Sequence, residues 1–338
     1  MTCLRGADRR TWWRAAASVV LALVMPWAPA QAQAPAAPAF DAGRWLHRVQ
    51  HAATTRSYQG TMVFSGGGIV SSSKVSHSHD GRQRLELIEV LDGQARQQFR
   101  HNDIVLTLWP RGRVAVFEPP GAVPEFPALP PVNQRLLDSY ELRLIGQERM
   151  AGQETDVVMV KPRDALRFAQ RLWAERDTGL LVRVDVLGVR GEVLESSAFT
   201  ELNLEHKLPA DSVLGPMKRL DGYRVVRSES TPVQLDAEGW VLQRAVAGFA
   251  LVSSARRALQ AVAGNGEARQ VLQAVFSDGL THVSMFIEPF DAQRHRPMRT
   301  SLGAAHTSMS RQGDWWLTVV GDVPMPTIMQ FEGSLHRR

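Results

Sequence analysis

Between Asp41 and Thr55 the apolar residues Trp45, Leu46, Val49, Ala52 and Ala53 recur at three- and four-residue spacing, with Arg44, His47, Arg48 and Gln50 elsewhere on the wheel. That spacing predicts one amphipathic helix. Beyond Ser57 the runs shorten and turn residues interrupt them about every ten positions, the rhythm of an all-β sheet. Strands are predicted at Tyr58–Phe64, Lys74–His79, Arg84–Leu91, Ala95–Arg100, Ile104–Trp109 and Val114–Phe117. Gly66-Gly67-Gly68, Asp80-Gly81, Asp92-Gly93, Asn102-Asp103 and Pro110-Arg111-Gly112 supply the intervening turns. Six prolines within Pro119–Pro131 make a stiff loop that cannot be a central strand. A short helix is expected over Gln134–Glu141, then a strand at Val157–Lys161.

The stretch Lys161–Leu204 reads as an antiparallel meander. Pro162 and Asp164 make a turn, and an apolar segment runs to Leu172-Trp173. Asp177-Thr178-Gly179-Leu180 reverses the chain again. Val182, Val184 and Val186 then alternate with Arg183 and Asp185, as on a strand with one wet face. Pro209, Gly215 and Pro216 mark a boundary, after which strands are expected at Tyr223–Arg227, Phe249–Ser254, Val271–Phe276, Thr281–Ile287 and Trp315–Val320, with a terminal helix over Thr327–Leu335.

Several strands are apolar on both parities. Ile104, Leu106 and Leu108 oppose Val105 and Trp109, Met62 and Phe64 oppose Val63, and Val158 and Val160 oppose Val157 and Met159. Both sheet faces should therefore be dry. One can pack on the helix; the other either forms a second core layer or lines an apolar cavity, whose walls would be Met62, Phe64, Leu106, Leu108, Val158, Val160, Val182 and Val184.

The first residues change the picture of where the chain works. Arg5, Arg9, Arg10 and Arg14 precede an apolar core from Ala15 to Trp27, and Ala30-Gln31-Ala32-Gln33-Ala34 fits a small-residue cleavage site. Residues 1–34 read as a secretory signal, too short in its apolar core to span a membrane. Cys3, the single cysteine, falls inside it, so the mature chain needs no disulfide. Of the net charge of +5, the four arginines against Asp8 account for +3, leaving +2. A near-neutral exported chain does not suit nucleic-acid binding.

Catalytic and metal chemistry find little support. His47 and His51 are i, i+4 on the first helix and His77 and His79 are i, i+2 on one strand, but neither pair has a third ligand. No nucleophile elbow, phosphate loop or dinucleotide fingerprint occurs. No enzyme, cofactor or metal is expected.

The segments Ser57-Tyr58-Gln59-Gly60-Thr61-Met62-Val63-Phe64, Arg149-x-Ala151-Gly152, Pro162-x-Asp164-x-x-Arg167-Phe168-x-x-Arg171-Leu172-Trp173, Thr178-Gly179-Leu180-Leu181, Ser277-Asp278-Gly279-Leu280 and Val319-Val320-Gly321-Asp322-Val323-Pro324 resemble the MucB/RseB family, in order and over nearly the whole mature chain. Phe168 stands where the family favours Tyr, and Glu175 where Asp is usual. The resemblance implies a mainly β (α+β) protein. Residues 40–208 would form a curved antiparallel half-barrel with capping helices, similar to the LolA/LolB lipoprotein carriers. Residues 209–221 would be a linker, and 222–338 a smaller antiparallel β domain with a helix.

The family's members are periplasmic regulators of an envelope-stress sigma factor. The resemblance thus implies two partners: the periplasmic domain of an RseA/MucA-like anti-sigma factor, shielded from site-1 proteolysis, and a lipopolysaccharide or acyl-chain ligand that promotes its release. Burying twelve acyl carbons is worth about 10 kcal/mol before ordering costs. Exposed basic side chains at Arg256 and Arg257, and the adjacent Trp315 and Trp316, are the expected partner contacts. Trp315 and Trp316 must face opposite ways on a strand, so one of them needs a cover. A homo-oligomer is left open, a LolA-like carrier of lipoproteins is the alternative, and an envelope hydrolase is a third, disfavoured reading.

Overall fold

The computed structural model of the protein describes residues 40–118, 134–227, 230–259 and 269–338. The export segment expected over residues 1–34 and the proline-rich loop Pro119–Pro131 lie outside these. The first half contains α1 (Ala42–Thr55), β1 (Tyr58–Gly66), β2 (Ile69–His79), β3 (Arg84–Val90), β4 (Gln97–His101), β5 (Ile104–Trp109) and β6 (Val114–Glu118). It continues with α2 (Gln134–Ser139), β7 (Tyr140–Met150), β8 (Gln153–Pro162), β9 (Ala169–Glu175), β10 (Leu181–Leu187), β11 (Val193–Asn203), α3 (Ala210–Lys218) and β12 (Arg224–Arg227). These strands form one open sheet in the order β12-β6-β5-β4-β3-β2-β1-β11-β10-β9-β8-β7. Two meanders, β2–β6 and β7–β11, are zipped together by the antiparallel pairing of β1 with β11.

Asp41 caps α1 by accepting a hydrogen bond from the Arg44 amide at 2.9 Å. The helix buries Trp45, Leu46, Val49, Ala52 and Ala53, the five positions its spacing predicts. It packs on Val158, Val160, Leu172 and Leu181 and, through Ala52, on Tyr58, Val75 and Phe199. α3 covers a different set, Leu85, Phe99, Leu106 and Leu108. Leu106 pairs with Phe99, Phe99 with Leu87, and Leu87 with Ser76. Val75, next to Ser76, therefore lies on the opposite face, so α1 and α3 cap opposite sides of the sheet. Strands apolar on both parities bury one face under a helix and the other among strand residues: Val157, Trp173 and Val182 pack together opposite α1, and Trp109 joins Val114, Val116 and Val226 opposite α3.

The second half comprises β13 (Ser230–Pro232), β14 (Trp240–Leu242), β15 (Ala250–Leu259), β16 (Arg269–Ser277), β17 (His282–Pro289), β18 (Met298–Leu302), β19 (Ala305–Gln312), β20 (Trp315–Gly321), α4 (Met325–Ser334) and β21 (Leu335–Arg337). Seven strands form a sheet in the order β13-β15-β16-β17-β20-β19-β18, and β14 pairs with β21 in a two-stranded ribbon. Ile328 and Phe331 of α4 pack into a core with Phe276, Met285, Ile287, Leu317 and Val319. The architecture is the mainly β, two-unit arrangement that the sequence implied.

The strand expected at Tyr223–Arg227 forms, but it joins the large sheet, parallel to β6, rather than the second unit. Val226 completes an apolar cluster with Val114 and Val116, and the Arg227 guanidinium lies 4.5 Å above the Phe117 ring. No helix among the described residues is long and apolar enough to cross a membrane.

Candidate functional site

Two motifs far apart in sequence meet where the large and small units touch. In the first, Asp164 Oδ1 accepts from the Leu166 amide at 3.0 Å, closing a short turn that aims Arg167 inward. In the second, the β16–β17 turn is held by Asp278, whose Oδ1 accepts from the Leu280 and Thr281 amides, both at 2.9 Å. Asp278 Oδ2 accepts from Arg167 Nε at 2.6 Å and from the Tyr140 hydroxyl at 2.8 Å. Both charged side chains are 0% exposed. Arg167 Nη1 also donates to Asp164 at 2.5 Å and Nη2 to the Ala247 carbonyl at 2.7 Å, while its guanidinium lies 4.7 Å from the Phe249 ring centre.

Burial, followed by the Asp278 charge, pushes the Tyr140 hydroxyl far above its ordinary value, so it remains a donor. Gly248, with φ of +78°, lies so close that a Cβ there would collide with Arg167 Nη2 and approach Ser139 Oγ at 2.9 Å.

Apolar and peripheral contacts extend this junction. Leu280 inserts into the core beneath α1 and α2 of the large unit. The Thr327 hydroxyl donates to the Leu166 carbonyl at 2.9 Å, and the rings of Phe168 and His306 are 5.7 Å apart. His306 Nδ1 is 2.6 Å from the Val323 carbonyl and the Thr281 hydroxyl donates to the Asp322 carbonyl at 3.2 Å, tying in the Val319–Pro324 motif. On another edge, Glu195 of β11 accepts from the Ala304 amide at 2.9 Å. Burial raises that carboxyl above its usual range.

The eight wall residues divide. Phe64 and Val184 both pair with Ser197, Val184 pairs with Leu172, and Leu172 with Val158. Phe64, Val184 and Val158 therefore share the α1 face, together with Met62 and Val160 two positions along their strands. Val158 and Val160 are fully covered, whereas Met62, Phe64 and Val184 are half-buried. Leu106 and Leu108 instead lie beneath α3. Val182 packs with Val157 and Trp173, because a bulge between Leu181 and Arg183 breaks the alternation on which its placement relied.

The four candidate partner contacts also divide, by strand parity. Arg256 pairs with Leu272, Leu272 with Ile287, and Trp315 with Pro289 two residues further on. Arg256 and Trp315 thus share a face, and both line a pocket of about 180 Å³. Trp240 and Trp315 meet edge to face there, with ring centres 5.7 Å apart. Arg337, paired with Trp240 across the ribbon, lies 4.4 Å above Trp315.

Arg257 and Trp316 point the other way. Trp316 is 3% exposed, stacked on His295 at 4.6 Å, so the cover its position demands comes from its own unit. Burial holds the Arg257 guanidinium below its ordinary value, an effect that Glu118 of β6 opposes. Sequence reasoning missed Tyr140 and Arg337. Neither carried a signal, since their partners are 138 residues away for Tyr140 and across a three-residue ribbon for Arg337. Among the described residues no group of three or more metal-ligating side chains is assembled.

Comparison with known proteins places these features. Residues 41–217 match the MucB/RseB N-terminal domain and residues 234–336 the MucB/RseB C-terminal domain. The sigma factor AlgU regulatory protein MucB of Pseudomonas aeruginosa is 32% identical over 87% of this chain and 90% of its own length. The sigma-E factor regulatory protein RseB of Salmonella typhimurium is 26% identical over 88% and 91%. A crystal structure of MucB in complex with MucA(peri) superposes with a TM-score of 0.65 at 26% identity, covering 88% of this chain and 99% of that one. With both domain models matched in order across the two units that Arg167 and Asp278 join, the chain belongs to the MucB/RseB family.

Proposed function

We propose that this protein is a periplasmic negative regulator of an envelope-stress sigma factor. It binds the periplasmic part of a membrane anti-sigma factor, shields it from site-1 proteolysis, and releases it when lipid or lipopolysaccharide binds. The observation that carries the reading is the likeness, over both units, to a MucB crystallised with MucA(peri). The export signal of residues 1–34 agrees with that compartment.

An acyl ligand would enter on the α1 face beside Met62, Phe64 and Val184, whose side chains are half-buried. Fully covered Val158 and Val160 would form the floor. A lipoprotein carrier would need only the large sheet. The buried attachment of a second unit, through Arg167 and Asp278, favours a protein in which one unit answers to the other.

The test is protection of the anti-sigma factor's periplasmic fragment. The chain from residue 35 onward is mixed with the fragment and the site-1 protease, with and without lipopolysaccharide. Protection that lipopolysaccharide reverses is expected. A fragment that is neither bound nor protected would end the regulatory reading and leave lipoprotein carriage to be tested.

A further inference from the structure

The pocket between Trp240 and Trp315 has a size and a charge that specify its occupant. At about 180 Å³ it is smaller than the roughly 300–1,000 Å³ of pockets that enclose whole small ligands. It is somewhat larger than the roughly 150 Å³ cavity that accommodates a benzene ring. It is the size of one branched or aromatic side chain and too small to enclose a whole acyl chain. Its floor is Leu272 and Ile287, and its walls are the two indoles and Pro289.

Charge at the mouth narrows the choice further. Arg256 is answered by Glu238, with Nε 3.0 Å from Oε1 and Nη2 on Oε2. The Arg337 guanidinium carbon lies 4.4 Å from the Trp315 ring centre and 5.9 Å from that of Trp240. Among the described residues no carboxylate lies within ion-pair distance of its guanidinium. An exposed guanidinium with no carboxylate partner can donate two N–H groups to a single incoming carboxylate.

Resting on the regulatory reading above, we propose that this pocket anchors one apolar side chain of the anti-sigma factor's periplasmic segment, with an adjacent Asp or Glu of that segment pairing with Arg337. Tryptophan and arginine at the centre of a contact are the residue types that carry most binding energy. The pocket is then the peptide site of the small unit, separate from any acyl site on the large sheet.

The experiment is a titration of the labelled periplasmic fragment into the mature full-length chain and its variants. Arg337→Glu is expected to weaken binding by roughly 30-fold and Arg337→Ala by roughly 5-fold. Trp315→Ala should match the larger loss. Because Arg337 is exposed, its variants fold even where Trp315→Ala does not. Exchanging the fragment's acidic residue for Lys should restore binding to Arg337→Glu. If wild type binds and both Arg337 variants stay within twofold, the pocket assignment is overturned and the regulatory reading stands. If wild type does not bind the fragment, both fall.

Discussion

Replacing Asp278 with alanine removes the carboxylate on which the two units converge. Its two oxygens accept four hydrogen bonds, from Arg167 Nε, the Tyr140 hydroxyl and the amides of Leu280 and Thr281. Breaking a buried ion pair from one side costs about 3–5 kcal/mol, because the remaining charge stays desolvated. Here the lower end applies, since Arg167 keeps Asp164, whose side chain is 37% exposed, and the Ala247 carbonyl. The two turn amides lose their acceptor as well, at roughly 1 kcal/mol each. The sum is about 5 kcal/mol. Tyr140→Phe deletes one hydrogen bond to a charged acceptor and should cost about 1.5–3 kcal/mol.

In a chain of this size 1 kcal/mol shifts Tm by roughly 2–4 °C, so Asp278→Ala should melt on the order of 10 °C earlier. The contact joins two units with separate cores, so its loss should also split the calorimetric transition, the small unit no longer melting with the large one. Differential scanning calorimetry of wild type, Tyr140→Phe, Asp278→Ala and the double variant gives both quantities and the coupling between the two side chains. A single transition within 2 °C of wild type for Asp278→Ala would refute the assignment of this pair as the joint.

Gly248→Ala attacks the same joint by steric means: its Cβ must displace the Arg167 guanidinium at a backbone φ of +78°, and a loss of about 2 kcal/mol or more is expected in the same calorimetric assay. His77 is 0% exposed, its Nδ1 2.7 Å from the Arg56 carbonyl and its ring stacked on Tyr58 at 5.1 Å. Burial lowers its pKa to about 4. Its folded value thus lies below the unfolded value near 6.5, so its stabilisation is complete above about pH 6.5 and is lost as pH falls through 4. That is worth about 3 kcal/mol, and His77→Phe should flatten the fall of Tm between those pH values; an unchanged slope contradicts the assignment. Leu106, 0% exposed beneath α3, should cost about 2–5 kcal/mol on truncation to Ala without a specific loss of acyl binding. Phe64→Ala should do the reverse, as read by unfolding in urea beside titration with a fluorescent fatty acid.

How far the sequence alone could reach is clearest at its failures. α1 and most strands of both sheets were legible because one buried face imposes a period that composition shows directly. β7 was not, since its positions from Leu144 to Arg149 are exposed and an edge strand with little to bury leaves no alternation. β18, exposed along its whole length, was silent for the same reason. Val182 was misplaced by one bulge, a backbone event that residue types do not announce. Of the partner contacts, parity correctly separated Trp315 from Trp316, but only the register across β15, β16, β17 and β20 puts Arg256 beside Trp315. Motifs such as Ser277–Leu280 were visible as strings; their meaning depended on a partner 111 residues earlier.

The joint also bears on how an acyl site and a peptide site could communicate. The proposed acyl face belongs to the large sheet and the tryptophan pocket to the small unit, so a signal between them must pass through residues common to both. Arg167, Asp278 and Leu280 are such residues: Arg167 rises from the segment leading into β9, whose next strand carries Val184, and Leu280 sits in the core with Val158, Leu172 and Val184. A ligand that presses Val184 or Leu172 presses the same core that holds Leu280, two residues from the carboxylate that joins the units. A fully buried ion pair does not yield gradually. It is either intact and dry, or separated and hydrated, with several kcal/mol between the states. Coupling of 1–3 kcal/mol, enough to change partner affinity by 5- to 150-fold, therefore requires only that the acyl ligand favour one state over the other by that amount. The reciprocal follows by linkage: an anti-sigma segment bound to the small unit must weaken acyl binding on the large sheet by the same factor.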